Sequence, residues 1–157
     1  MEITKEQMNL VQAQMQGIGL VTAYHNRFGD DALQVSKSYF SQAGKMLGQN
    51  HESSLNIVGS DANAVAAAIN AFITQAAGTP GACKVEGDKV VCDNEGFCPV
   101  MEAVKMVNAP WDKIDLNYAW PMFEGIETAI NPNAKMEVPE SRHRGDKRCC
   151  HVFIVPK

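Results

Sequence analysis

The sequence predicts an α+β fold: a helical layer packed on a small antiparallel sheet built from two β-hairpins. Three observations predict it. Apolar residues recur at three- and four-residue spacing through residues 1–78, and a Gly-Asp pair at 87–88 separates two short β-prone runs. Two further β-prone runs, 135–138 and 149–155, flank a charged arm. The order helices, hairpin, helices, hairpin leaves a sheet covered on one face. The chain of 157 residues is expected to be one domain, 1–157, mainly helical over 1–78 and hairpin-helices-hairpin over 82–157.

Each element has its own signal. Thr4-Lys5-Glu6-Gln7 fits a capping box, and Met8, Val11, Met15, Ile18 and Val21 follow on one face of a helix that ends near Asn26–Gly29. Such a stripe is core or oligomer seam. Asp30 or Asp31 caps a second helix carrying Leu33, Val35, Phe40, Met46 and Leu47, with Gly48 as its stop and His51 in the loop beyond. His25 is expected to cap the end of the first helix. Ser60 or Asp61 opens a third helix, whose small residues, Ala62 to Ala68, permit close approach of another element.

The Gly87-Asp88 turn sets a hairpin register in which Glu86 faces Lys89, Val85 faces Val90 and Cys83 faces Cys92. Ladder alternation makes the two cysteines a non-hydrogen-bonded pair, where side chains come closest. Pro99 opens the next helix immediately after Cys98. Pro110-Trp111 breaks that helix, and Asp112 or Asp115 caps a further stretch to about Ile130, kinked or restarted at Pro121. Strands at Lys135–Val138 and Cys149–Val155 close the fold.

Composition narrows the function classes. Lys+Arg number 14 against 18 Asp+Glu, for a net charge of −4, so the chain has no basic footprint for nucleic acid. An apolar fraction of 45% argues against disorder. The opening MEITKEQMNL lacks the pattern of a signal peptide, and the apolar window Ala62–Ala77 is interrupted by Asn63, Asn70, Thr74 and Gln75. A cytoplasmic protein with no membrane partner is expected. Five cysteines cannot all pair within one chain, and in a reduced compartment they serve as ligands, nucleophiles or core fillers.

Cys98 stands at the N-terminal edge of a helix, where free amides and the dipole favour thiolate, or it is a buried small hydrophobe that begins the helix. On the last strand, alternation sends Cys149, His151, Phe153 and Val155 to one face and Cys150 to the other. Cys149 and His151 are therefore plausible co-ligands, or a nucleophile and its base. Cys83 and Cys92 are core thiols, a ligand pair or a cross-strand disulfide. The arm Arg142-His143-Arg144 with Lys147-Arg148 can receive a carboxylate. The sequence contains no C-x-x-C, P-loop, G-x-G-x-x-G, H-E-x-x-H or G-x-S-x-G.

Several motifs occur in an order that resembles the L-2-amino-thiazoline-4-carboxylic acid hydrolase family. They are Cys98-Pro99, Phe123-Glu124-Gly125-Ile126 leading to Asn131-Pro132, Met136 to Ser141, and Gly145-Asp146-Lys147-Arg148-Cys149, with Arg27 to Ala32 as a compatible helix start. That family is similar in layout to vinyl-reductase-type small-ligand domains. The resemblance implies hydrolytic opening of a cyclic thiazoline to an N-carbamoyl cysteine. On this reading Cys98, Cys149 and His151 are catalytic, Arg142, Arg144, Glu124 and Trp120 bind substrate, and no cofactor is required. The alternative is a sensory module that binds an apolar small molecule, with zinc or haem held by Cys83, Cys92, Cys98 and Cys149. A third reading is an oligomeric scaffold that uses the Met8-to-Val21 stripe as a homo-oligomer interface.

Overall fold

The computed structural model describes residues 3–157. Helix α1, Lys5–Phe28, starts from the expected capping box, with Thr4 accepting from the Gln7 N–H and the Gln7 side chain answering to the Thr4 N–H. Helix α2, Asp30–Ser54, follows after Gly29, whose φ of 74° suits a residue without a Cβ. Helix α3, Ala62–Ala77, is capped by Asp61 and stopped by Gly78 in the left-handed region. Strands β1, Cys83–Glu86, and β2, Lys89–Asn94, form the first hairpin. Helix α4, Pro99–Met106, and the short α5, Trp111–Ile114, lead into a π-helical turn, Asp115–Ala119, and helix α6, Trp120–Ile130. Strand β3, Lys135–Glu140, a 3₁₀ turn, Arg142–Arg144, and strand β4, Cys149–Ile154, complete the chain.

The strands form one antiparallel sheet in the order β1-β2-β4-β3. The β1–β2 register is the one the Gly-Asp turn predicts, with Cys83 opposite Cys92. The edge strand β1 is pinned to α3 by Asn70, whose side chain accepts from the Cys83 N–H at 2.9 Å and donates to the Cys83 carbonyl at 3.2 Å. One core lies between α3, α6 and the sheet, around Val65, Ile69, Val90, Ile126 and Phe153. A second joins α1 to α4 and α5, around Val11, Ile18, Val104 and Ile114. Each such side chain contributes roughly 1.5–3 kcal/mol by leaving water.

Several expectations change in the folded chain. The Met8-to-Val21 stripe is not an interface: Val11, Ile18 and Val21 are buried within the chain, and Met8 and Met15 pack against the same core. Gly48 does not stop α2, and His51 is helical rather than in a loop. Gly48 instead lies against Ile126 and Ala129, where a Cβ would collide, just as Gly44 and Gly125 let the backbones of α2 and α6 touch. Neither Asp112 nor Asp115 caps α5, which starts after Pro110 with no side-chain cap. Pro121 does mark a fresh start. Its missing N–H falls in the first turn of α6, directly after the widened π turn. Ser36 of α2 stabilises that turn by donating to the Asn117 carbonyl at 2.8 Å. Among the described residues, no helix is long and apolar enough to cross a membrane.

Candidate functional site

A cavity of about 200 Å³ lies where α3, α4, the π turn and α6 meet the inner face of β2 and β4. Its walls are apolar and aromatic: Phe72 and Ile73 from α3, Val100 from α4, Trp111, and Tyr118, Trp120 and Phe123 from the π turn and α6. Phe72 meets Phe123 edge to face at 5.3 Å, and Phe123 lies 5.1 Å from the His151 ring. The Tyr118 hydroxyl donates to Gln14 at 2.6 Å, and burial pushes its pKa up to about 12.

Cys98, Cys149 and His151 all line this cavity, as the strand alternation and the Cys98-Pro99 helix start require. Trp120 lines it too. Cys150 is on the opposite face beside Asp93, and burial pushes its thiol up to about 11. Other expected site residues lie elsewhere. Glu124 faces a separate groove between α2 and β3, with Lys45 and Lys135, because its position on α6 is turned away from the sheet. Arg144 is exposed, donating to the Val138 carbonyl at 2.7 Å and facing Asp146 at 3.7 Å. Arg148 is held by Glu140 at 2.7 Å and Lys147 faces Glu95 at 3.4 Å, so these cations of the arm already have carboxylates of the chain itself.

Arg142 differs from its neighbours. Its Nη1 donates to the Gly96 carbonyl at 2.8 Å, while its Nε and Nη2 are buried without a protein partner. Its charge reaches Cys98. Even so, Cys98 does not carry the expected lowered pKa. Burial pushes the thiol up, and this outweighs the Met101 N–H and the Arg142 guanidinium, which both favour thiolate. Burial also lowers His151 to about 4, with Arg144 adding to the effect, so the ring is neutral at pH 7. Among the described residues, His151 hydrogen-bonds neither thiol.

Cys83 and Cys92 are neither free core thiols nor ligands: they are joined as a disulfide across the hairpin. Two facing residues of a non-hydrogen-bonded pair are close enough for that bond, and it removes both from the ligand pool. Among the described residues, no group of three His, Cys, Asp or Glu side chains could hold a metal ion. Of the four cysteines assigned to zinc or haem, the disulfide leaves Cys98 and Cys149 as free thiols.

The polar end of the cavity holds residues that sequence reasoning missed. Asp115, in the π turn, accepts from His143 Nδ1 at 2.6 Å, and both side chains are at most 9% exposed. Ser141 Oγ is 2.9 Å from the same nitrogen, 3.4 Å from Asp115 Oδ2 and 4.0 Å from Cys149 Sγ. The Arg142 backbone N–H donates to Cys149 Sγ at 3.4 Å. Burial raises the Asp115 pKa, against donors from His143, Trp111 and Ser141. Cys149 Sγ thus meets Ser141 Oγ. Because His143 Nδ1 already donates to Asp115 it has no lone pair for Ser141, so the route open to a thiol proton runs through Ser141 to the Asp115 carboxylate. A helical stretch carrying an interior proline was the one sequence signal near it. Nothing in the spacing joined Asp115 to His143.

No protein-family model matches the chain, and no curated protein sequence is similar to it. Among solved structures it is similar to the trafficking protein particle complex subunit 3 of Naegleria fowleri, a protein covalently bound to palmitic acid in its crystal. The TM-score is 0.57 over 96% of each chain, at 14% identity. At that identity the likeness establishes the α+β fold alone.

Proposed function

We propose that the chain is a small-ligand-binding domain whose cavity holds an apolar chain or ring, with a carboxylate directed past Cys98 to Arg142. The aromatic-walled cavity carries this reading, since such sites combine apolar walls with a few convergent polar groups. Beyond its bond to Gly96, the Arg142 guanidinium keeps a buried Nε–Nη2 edge without a protein partner, which is costly and suited to bidentate binding of a carboxylate. The palmitic acid held by the structural neighbour supports an acyl ligand. At about 200 Å³ the cavity is smaller than the roughly 300–1,000 Å³ of sites for drug-sized ligands, which favours a short chain.

The test is a titration with straight-chain carboxylates of increasing length, followed by calorimetry. Each methylene should tighten binding about fourfold, at ~0.8 kcal/mol, and the gain should level off near eight carbons. Octanol should bind more weakly than octanoate, and Arg142→Met should remove that difference. Ala76→Phe, which fills the cavity, should abolish binding. Failure of all the carboxylates to bind sinks the reading.

A second reading, hydrolysis of a thiazoline, is favoured by the convergence of Cys98, Cys149 and His151 on one cavity. It uses Cys149 as nucleophile, because Cys98 stays protonated while Cys149 has Ser141 and, beyond it, the Asp115 carboxylate to take its proton. Incubation with 2-amino-thiazoline-4-carboxylate should then release N-carbamoyl cysteine, and Cys149→Ser should abolish that release. No turnover by the unaltered chain excludes it.

A further inference from the structure

The inward stripe of α1 belongs to the core, but the opposite face of the same helix is also apolar. Leu20, Tyr24 and Phe28 are 59%, 54% and 61% exposed and lie four residues apart. On α2, Val35, Tyr39 and Met46 are 72%, 66% and 57% exposed, at the first, fifth and twelfth positions of one helical face. The other exposed large apolar side chains, Leu55, Val58, Val85, Met106 and Leu116, are scattered singly over different elements and form no such stripe.

The charge pattern is as unusual as the exposure. From Asn9 to Asn26 helix α1 has no Lys, Arg, Asp or Glu, although an exposed helical face ordinarily carries them. On α2 the positions between and after the stripe residues on that face are uncharged, Ser38, Gln42 and Gln49, and Asp31 is the one charge, a turn before Val35. Depletion of charge around aromatic and Met side chains is the composition of an interface centre.

We propose that the outward faces of α1 and α2 form a two-fold symmetric interface between two copies of this chain. In a two-fold interface each residue type meets the same surface on its partner, so a charged face would oppose its own sign. This face carries charge only at the α1–α2 corner, where Arg27 lies over the Phe28 ring and Asp31 precedes Val35, two groups of opposite sign. A membrane surface is the less suitable occupant, since interfacial helices carry Lys or Arg along their polar side, and Asn9–Asn26 has neither. The six side chains present on the order of 600 Å², close to the ~800 Å² per partner of a standard interface. The proposal is independent of the cavity and of any ligand in it.

Sedimentation equilibrium of the full chain, up to about 100 µM, should return twice the 17.1 kDa protomer mass. Tyr39→Glu and Leu20→Glu, each at an exposed position that leaves the core untouched, should weaken association at least thirtyfold, as for an interface hot spot (~2 kcal/mol or more). Circular dichroism checks that both variants keep the fold. Leu55→Glu, off the stripe, should leave the dimer intact. A wild-type chain that stays monomeric throughout this range overturns the proposal, as does a dimer that survives both stripe substitutions. Co-flotation of a monomer with anionic vesicles would assign the face to a membrane instead.

Discussion

Asp115 and Glu127 are both buried acids on the same run of helix, and their surroundings differ in one respect. Asp115, 6% exposed, has His143, Ser141 and Trp111 as donors. Glu127, 1% exposed, has an unpartnered Oε2 and a second carboxylate, Glu124, beside it. Burial raises both acids, but Glu127 rises to about 8, where the Met136 N–H is the only group opposing the shift. The first region is a polar network built at the end of a cavity. The second is a neutral carboxyl kept in the core because no counter-charge reaches it. Burial raises a carboxyl in either place, and the partner decides what the group can then do.

The largest effect should come from breaking the first network on one side only. His143→Ala leaves Asp115 buried without its partner, which costs about 3–5 kcal/mol and lowers the melting temperature by roughly 10 °C. His143→Gln, which retains a donor, should recover part of the loss. A melting temperature unchanged in His143→Ala would remove Asp115–His143 as a structural pair.

Glu127→Gln should act in the opposite direction and only at high pH. The folded-state pKa of about 8 is above the ordinary 4.5, so the stabilising contribution is present at low pH and is lost as pH rises through 8. Urea unfolding at pH 9 should show the Gln variant more stable by up to about 4 kcal/mol, with little difference at pH 5. Equal stabilities at pH 9 would mean that Glu127 has a partner after all.

His151 gives the smaller, mirror-image effect. Its pKa of about 4 is below the ordinary 6.5, so its contribution is present above 6.5 and is lost as pH falls through 4. His151→Phe should flatten the acid limb of the stability profile by about 2–3 kcal/mol between pH 6.5 and 4. An acid limb that survives the substitution unchanged would place its origin in other groups.

Much of the fold was legible because it rests on short-range chemistry. The capping box of α1, the proline that opens α4 and the two-residue turn at Gly87-Asp88 each fix local geometry within a few residues. The turn also sets register, so the facing of Cys83 and Cys92 follows from it, as does the shared face of Cys149 and His151 from strand alternation. The polar line was not legible, since Asp115 and His143 belong to a π turn and a 3₁₀ turn far apart in the chain. Glu124 and Arg144 were placed by motif order, which does not say which way a helix or arm is turned.

The sequence by itself determined the elements, the hairpin register and which cysteines share a strand face, because periodicity and turn chemistry act locally. Only the tertiary structure decided that Cys83 and Cys92 are bonded, that burial keeps Cys98 protonated, and that Asp115 finds His143. Oxidation state, desolvation and ion pairing depend on what lies across the interior, and no spacing rule contains that distance.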